Sequence, residues 1–229
     1  MPLPATDLRS NVGTWAVSSF QLPALTCQML DVLSPEKFDP DFHGQYLETT
    51  YFDTKSFKLR KARVKGSKYV TIRIRCYARA GSVSAGFGPP GAYASGSEGG
   101  SSAGVYAISA KTENQKFRQE IDSDYAESLL QSGIVPSALV GITPPDLIAR
   151  VADLSEGTRL DPVVTLCFHR YAVEDNHHRL TLDTDIESDT GRSYPSHVLE
   201  QKSTNKESSP LITLPLRPIK LSKFLWSTQ

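Results

Sequence analysis

The segment TIRIRCY, which runs from Thr71 to Tyr77, alternates strictly between two kinds of residue. Its isoleucines and its cysteine share one side, and Arg73 and Arg75 lie on the other side with Thr71 and Tyr77. This period of two, with β-branched residues, predicts a strand whose apolar side faces a core. Arg73 and Arg75 then lie roughly 7 Å apart on the polar side. Because neighbouring cations repel each other, the strand predicts an anion on that side.

The composition restricts the possible partners and compartment. The chain has 229 residues, enough for a domain with a real core, and 25 basic residues balance 25 acidic ones. This balance argues against a nucleic-acid partner. Three widely spaced cysteines argue against a disulfide framework or a zinc site and favour a reducing compartment. No segment resembles a membrane span or a signal peptide, so we predict a cytoplasmic protein.

A glycine- and serine-rich segment lies between two of the strand patterns. Residues 79–104, RAGSVSAGFGPPGAYASGSEGGSSAG, contain eight of the chain's 15 glycines. A segment of this composition buries too little apolar surface to order itself. We therefore predict a disordered loop at about residues 79–104 that connects two strands.

Strand patterns outnumber helix patterns in the remaining sequence. Strands are predicted at residues 45–53, 69–78, 106–113, 115–121, 163–173, 178–185 and 197–202. Helices are predicted at residues 23–33, 122–133 and 143–154, with Thr143 as a candidate N-cap of the third. Short connections between the strands favour an antiparallel α+β fold.

Cations recur on the polar faces of the other predicted strands. They are Lys111, Lys116, Arg118, Arg170, Arg179 and Lys202. For any single strand, a face in contact with water is the commoner explanation. Their recurrence favours a sheet that closes into a barrel with its charged face inward, around a polyanion. Glu120, Asp183 and Glu200 would then reduce repulsion or hold a divalent metal.

A series of short motifs resembles a known family. The motifs are YFDTKSFKL (51–59), RIRCY (73–77), AKTE with KFR (110–118), FHRYAV (168–173), RLTLDTDI (179–186), VLEQK (198–202) and KLSKF (220–224). Their order and spacing resemble the VTC polyphosphate polymerase domain of the triphosphate tunnel superfamily, which is related to the CYTH phosphatases. The resemblance covers about residues 20–224 and predicts a single domain over residues 1–229.

The resemblance implies a fold and an activity. The expected fold is a closed antiparallel β-barrel of about eight strands, flanked by a few helices, with a basic tunnel. The expected ligands are ATP and polyphosphate or tripolyphosphate, and the expected cofactor is Mn²⁺ or Mg²⁺. The implied reaction transfers the γ-phosphate of ATP to a growing polyphosphate chain. Family members often work with a membrane protein, so such a partner is also expected.

The same resemblance assigns roles to individual residues. The implied phosphate-binding residues are Arg73, Arg75, Lys111, Lys116, Arg118, Arg170, Arg179, Lys202, Lys220, Ser222 and Lys223. Five of them, Arg73, Arg75, Lys111, Arg170 and Lys223, are implied to take part in catalysis. Glu200 is the implied metal ligand.

Departures from the family pattern leave the activity open. In the alignment Val17 and Ser19 stand where the first family strand carries an acid and a lysine, and Ser109 replaces a glutamate. The ExExK signature of the CYTH phosphatases is therefore absent. Two alternatives to a polymerase follow: an inorganic triphosphatase, in which water is the acceptor, and a catalytically degenerate polyphosphate- or nucleotide-binding module.

Overall fold

The computed structural model describes residues 10–35, 43–66, 68–79, 104–113, 115–205, 209–220 and 222–228. Its strands are β1 (Ser10–Val17), β2 (Ser34–Pro35), β3 (Gln45–Asp53), β4 (Thr71–Arg79), β5 (Val105–Lys111), β6 (Lys116–Ile121), β7 (Asp161–Glu174), β8 (His178–Ser188), β9 (His197–Ser203) and β10 (Arg217–Pro218). Its helices are α1 (Leu22–Val32), α2 (Lys58–Val64), α3 (Ser123–Ser132), α4 (Pro145–Ser155) and α5 (Lys223–Ser227).

The strands form one antiparallel sheet that is open rather than closed. Its order is β10-β1-β9-β8-β7-β3-β4-β5-β6, and β2 pairs separately with β7. The predicted closed barrel of about eight strands is therefore wrong on both counts, since the sheet has ten strands and no described ladder joins β6 to the far edge. That far edge is occupied by β10, which is two residues long and ends in Pro218. A proline cannot donate to a ladder, so this edge cannot continue the sheet as a regular strand.

The open sheet is nevertheless curled so that distant strands face each other. The pKa of the Lys111 ammonium on β5 is lowered first by desolvation, and the charges of Glu200 and Lys202 on β9 also act on it. Four strands separate β5 from β9 in the sheet. The pKa of Arg118 on β6 is likewise lowered by burial and, among other charges, by Arg179 on β8. The charged face is therefore the concave one.

Helices cover the convex face on one side of the sheet. Ile72 and Ile74 of β4 are buried in a cluster with Leu59 of α2, Leu129 of α3 and Val151 of α4. Because successive side chains of a strand point to opposite faces, Arg73 and Arg75 of the same strand lie on the concave face. The strand face predicted from TIRIRCY has this orientation.

A second convex cluster fixes the orientation of β1. Val17 is fully buried there, with Leu25 and Met29 of α1. The concave positions of β1 are instead Thr14 and Ala16, which pair with Glu200 and Val198 of β9. The alignment that set Val17 against an inward acid therefore used the wrong face. An irregularity in the β1–β9 register between Asn11 and Gly13 shifts the pleat there, and the sequence gives no sign of it.

A buried carboxylate holds α2 in place. Asp53, at the end of β3, accepts hydrogen bonds from the backbone amides of Leu59 (2.9 Å) and Arg60 (2.8 Å). Desolvation raises the pKa of this carboxyl group, and the backbone hydrogen bonds oppose the rise. The aspartate of the YFDT motif therefore anchors the helix rather than contacting a ligand.

Most predicted elements are present. Strand β3 has the predicted bounds, the other predicted strands and the three predicted helices differ by a few residues, and α4 begins after Pro144 rather than Thr143. Strands β1, β2 and β10 and helices α2 and α5 were not predicted. Arg79 belongs to β4, and residues 80–103 of the predicted loop lie outside the described residues. The predicted single domain stays a prediction.

None of the described helices is both long and apolar enough to span a membrane. The expected membrane-protein partner stays a prediction.

The orientation of β1 can be tested with a matched pair of substitutions. Val17→Gln should lower the free energy of unfolding by about 3 kcal/mol, because it places an amide in an apolar core. Thr14→Gln, on the concave face of the same strand, should change it by less than about 1 kcal/mol. Chemical denaturation of both variants measures the difference, and equal losses would contradict the assigned register.

Candidate phosphate-binding site

Arg75 lies at the centre of the concave face. It is 8% exposed, and its Nε donates to the Thr49 hydroxyl on β3 at 2.9 Å. Its guanidinium carbon lies 5.7 Å from the Tyr77 ring centroid and 5.9 Å from that of Phe168. Burial lowers its pKa, and the charges of Arg73 and Arg170 add to this effect. Arg75 is therefore a desolvated cation in a positive environment.

Tyr77 connects the cations of β4 and β6. Its hydroxyl accepts a hydrogen bond from Arg75 Nη1 at 3.3 Å, and the Arg118 guanidinium stacks 4.5 Å from its ring centroid. Burial alone would raise the pKa of the Tyr77 phenol, but Arg75, Arg118 and Arg73 outweigh it and lower the pKa to about 8. The Nε of Arg118 is buried and has no hydrogen-bond partner among the described residues.

A three-residue ion-pair cluster lies beside these arginines. Arg170 on β7 donates from Nε and Nη2 to the two carboxylate oxygens of Asp183 on β8, at 2.6 and 2.7 Å. Lys223, the first residue of α5, also contacts Oδ2 of Asp183. Burial would raise the pKa of Asp183, but Arg170 and Lys223 hold it well below its usual range. Burial lowers the pKa of Lys223 to about 8, which Asp183 only partly offsets.

Helix α5 packs on the apolar part of the concave face. Phe224 is 1% exposed and stacks on Tyr51 of β3, with ring centroids 5.1 Å apart. Leu166 and Phe168 of β7 belong to the same cluster. The Lys223 ammonium lies 3.9 Å from the Phe168 ring centroid, so the apolar cluster is directly adjacent to the ion pairs of Asp183. The helix fills the concave face next to the cations.

Lys111, Glu200, Lys202 and Arg179 form the other side of the site. Lys202 Nζ lies 4.0 Å from a Glu200 oxygen, and Arg179 Nε lies 3.9 Å from a Glu174 oxygen. Among the described residues, no three His, Cys, Asp or Glu side chains are placed to hold a metal ion. Glu200 could nevertheless hold Mg²⁺ or Mn²⁺ if substrate phosphates supplied other ligands, the usual way in which proteins bind Mg²⁺.

The structure brings together most of the predicted phosphate-binding residues. Arg73, Arg75, Lys111, Lys116, Arg118, Arg170, Arg179, Lys202 and Lys223 lie on the concave face or reach it. Lys220 is exposed between β10 and α5, and Ser222 caps α5 by accepting from the Leu225 amide at 3.4 Å. The phosphate-binding and catalytic roles of all these residues stay predictions.

Three residues of the site were not predicted from the sequence. Tyr77 follows the TIRIR pattern on the arginine face, so the same alternation could have identified it. Thr49 lies opposite Arg75 in the β3–β4 register, which no local pattern reveals. Arg63 of α2 donates a hydrogen bond to the Thr71 hydroxyl at 2.8 Å. Desolvation is the main cause that lowers the pKa of Lys111, and the charge of Arg63 lowers it further. It was missed because α2 itself was not predicted.

Comparison with known proteins supports the fold. No family model and no curated protein matches the chain. A candidate adenylate cyclase from Bacillus halodurans aligns with a TM-score of 0.52 and 18% identity, over 85% of this chain and 80% of that one. A candidate adenylyl cyclase from Hippeastrum, described as having a dominant triphosphatase activity, aligns with a TM-score of 0.50 and 15% identity, over 87% and 81%.

These similarities identify the fold but do not show to which family the chain belongs. The antiparallel sheet with few helices is the fold that the chain shares with these two structures. At 18% and 15% identity the comparison shows a shared fold and nothing narrower. The narrower resemblance to VTC polymerase domains remains a prediction from the sequence.

The Asp183 cluster makes a testable contribution to stability. Asp183→Asn should destabilise the protein by about 3 kcal/mol at neutral pH, because Arg170 and Lys223 lose their buried counter-ion. Asp185→Asn, on an exposed carboxylate two residues away, is the matched control and should cost less than about 0.5 kcal/mol.

The pH dependence of the same variant follows from the sign of the shift. Because the folded-state pKa of Asp183 is depressed, its contribution is complete above the usual aspartate range and is lost as the pH falls through the folded-state value. The stability gap between the wild type and Asp183→Asn should therefore narrow in acid. A gap that stays constant down to strongly acidic pH, measured by denaturant unfolding, would contradict the assigned ion pairs.

Proposed function

We propose that the concave face binds a linear triphosphate, either tripolyphosphate or the triphosphate of ATP, and that it hydrolyses the terminal phosphoryl group with a divalent cation. One observation carries the proposal. Cations from β4, β5, β6, β8 and β9 face one another across the curled sheet, and Asp183, the only buried carboxylate among the described residues of this face, is already paired with Arg170 and Lys223. The positive charge that is left requires an anion.

The arrangement suits the chemistry of phosphoryl transfer. This reaction needs charge neutralisation and in-line positioning more than covalent help from the protein. Arginine forks match phosphate oxygens with paired hydrogen bonds, and Arg73 and Arg118 lie beside Arg75 on this face. Partly buried cations also interact more strongly with phosphate than cations in water do.

Glu200 is the residue that would hold the cation. It lies on the concave face opposite Thr14 and Thr181, with Lys202 nearby. A bound Mn²⁺ or Mg²⁺ would neutralise phosphate oxygens and assist the leaving group. Because no three His, Cys, Asp or Glu side chains of the described residues are placed to hold a metal, the protein would contribute little to metal binding until the phosphates are present.

Hydrolysis is favoured over chain growth by the position of α5. Since Phe224 and its neighbours fill part of the concave face, a short phosphate chain fits the remaining polar part better than a long polymer passing through. Polyphosphate synthesis from ATP is the second candidate and is favoured by the sequence resemblance to VTC domains. A binding module without catalysis is the third, because Thr14, Ala16 and Ser109 provide no acid on the concave faces of β1 and β5.

Removal of Arg73, a concave-face arginine on β4, tests the binding site. Arg73→Ala should weaken tripolyphosphate binding about 10- to 100-fold, the range expected for the loss of a charge-assisted hydrogen bond. Arg159→Ala is the control, because this exposed arginine pairs with Asp161 outside the concave face. Calorimetric titration at low salt measures both. Equal affinities of the two variants and the wild type would refute the proposed site.

Substitution of Glu200 tests catalysis separately from binding. Glu200→Gln should bind tripolyphosphate at least as tightly as the wild type but lose Mn²⁺-dependent phosphate release, because the metal ligand is gone. Phosphate release from tripolyphosphate indicates the hydrolase, and polyphosphate formation from ATP indicates the polymerase. If the wild type binds tightly but turns over neither compound, the binding module is the remaining candidate.

A further inference from the structure

Tyr77 occupies an unusual position that the proposed reaction does not yet use. Its ring and hydroxyl lie between Arg75 of the same strand and Arg118 of β6. The hydroxyl accepts a hydrogen bond from Arg75, so its own proton remains available, and no described residue accepts it. The phenol is therefore a group that can become negative between these two arginines.

The surrounding charges are almost all positive. Arg73 and Arg75 of β4, Arg118 of β6 and Arg170 of β7 all interact electrostatically with Tyr77. Lys223 of α5 and Arg75 also act on each other, and Asp183 pairs with Lys223 and Arg170. Glu120 of β6 acts on Arg118 but is exposed to solvent. Tyr51 of β3 is the other phenol near Arg75, and its ring stacks on Phe224.

We infer that Tyr77 is a substrate-contacting residue, which stands in for the ligand's negative charge when the site is empty and donates its proton as a hydrogen bond to a phosphate oxygen when the site is filled. This inference rests on the proposed binding of a triphosphate to the same face. Arg75 and Arg118, which flank the phenol, would hold the same phosphate group.

The inference requires an exchange of one proton. In the empty site the phenolate balances the arginines over the range in which it is populated. When the triphosphate arrives with its own negative charge, the phenolate becomes unfavourable and takes up a proton from solvent. Binding above the phenol's titration is therefore accompanied by net proton uptake, and affinity falls as the pH rises further.

The first experiment follows the phenol directly. Ultraviolet absorbance of tyrosinate is measured against pH for the wild type and Tyr77→Phe, and the difference isolates Tyr77. In the free protein the Tyr77 phenol should titrate near pH 8, because the neighbouring arginines lower its pKa to about 8. Saturating tripolyphosphate should move this titration upward by about one pH unit or more, because the ligand cancels the positive field. An unshifted titration in the saturated wild type overturns the inference.

The second experiment compares affinities across pH. Below the titration, Tyr77→Phe should bind tripolyphosphate about tenfold more weakly than the wild type, because a hydrogen bond to a charged oxygen is lost. Above it, this advantage of the wild type should fall about tenfold per pH unit, which is the dependence expected for one proton. The ratio removes the contribution of Lys223, which both proteins share. A ratio that does not change with pH overturns the inference.

The control is a tyrosine on the convex face. Tyr106 of β5 is paired with Cys76, and desolvation raises its pKa to about 12. Tyr106→Phe should behave as the wild type in both experiments. If the wild type and both variants bind no tripolyphosphate at low salt, the proposed function itself fails. If all three bind it with the same pH profile, only the role of Tyr77 fails.

Discussion

Repulsion among the cations on the concave face is the constraint that the rest of the structure has to meet. Curling the sheet brings Arg75, Arg118 and Arg170 together, and α5 adds Lys223. Asp183 pairs with two of the four, and aromatic faces and the Thr49 hydroxyl contact the others. This compensation is local and does not extend to the cations farther along β4 and β5. The incomplete compensation is what makes the face suitable for a polyanion.

The stability required to hold these cations together comes from outside the site. Two apolar clusters cover the convex face, one under α2, α3 and α4 and the other under α1. Burial of their side chains supplies the main favourable free energy of folding. On the concave face, Phe224 and its neighbours anchor α5 and leave the polar region open. The pleat of each strand therefore separates apolar side chains from charged ones. The position of a residue in the two-residue alternation decides whether its side chain packs on the convex face or lies on the concave face.

Much of this arrangement follows from local sequence. The alternation in β4 predicts both the strand and the inward direction of Arg73 and Arg75, because a period of two leaves only two registers. Whether the sheet closes was not predictable in the same way, since closure depends on a ladder between strands that are distant in sequence, and the sheet is open. The face of β1 was misassigned because its positions were taken from the family resemblance, whereas the alternating Trp15 and Val17 both belong to the apolar cluster under α1. Helix α2 was missed because its seven residues carry cations on most positions and depend on Asp53 for their start.

The residues on the concave faces of β1 and β5 would link charge and metal binding under the proposed function. Thr14 and Ser109 occupy positions where a carboxylate would lie beside Glu200 or Arg73. A neutral side chain at each position leaves the cations with more unbalanced charge, which strengthens attraction for phosphate. It also leaves Glu200 without a second carboxylate, which weakens any metal site made by protein alone. Both effects point the same way. Under the proposed function, the phosphate chain would balance the arginines, favour uptake of a solvent proton by Tyr77 and complete the coordination of the cation, so that binding of anion, proton and metal is expected to be mutually dependent.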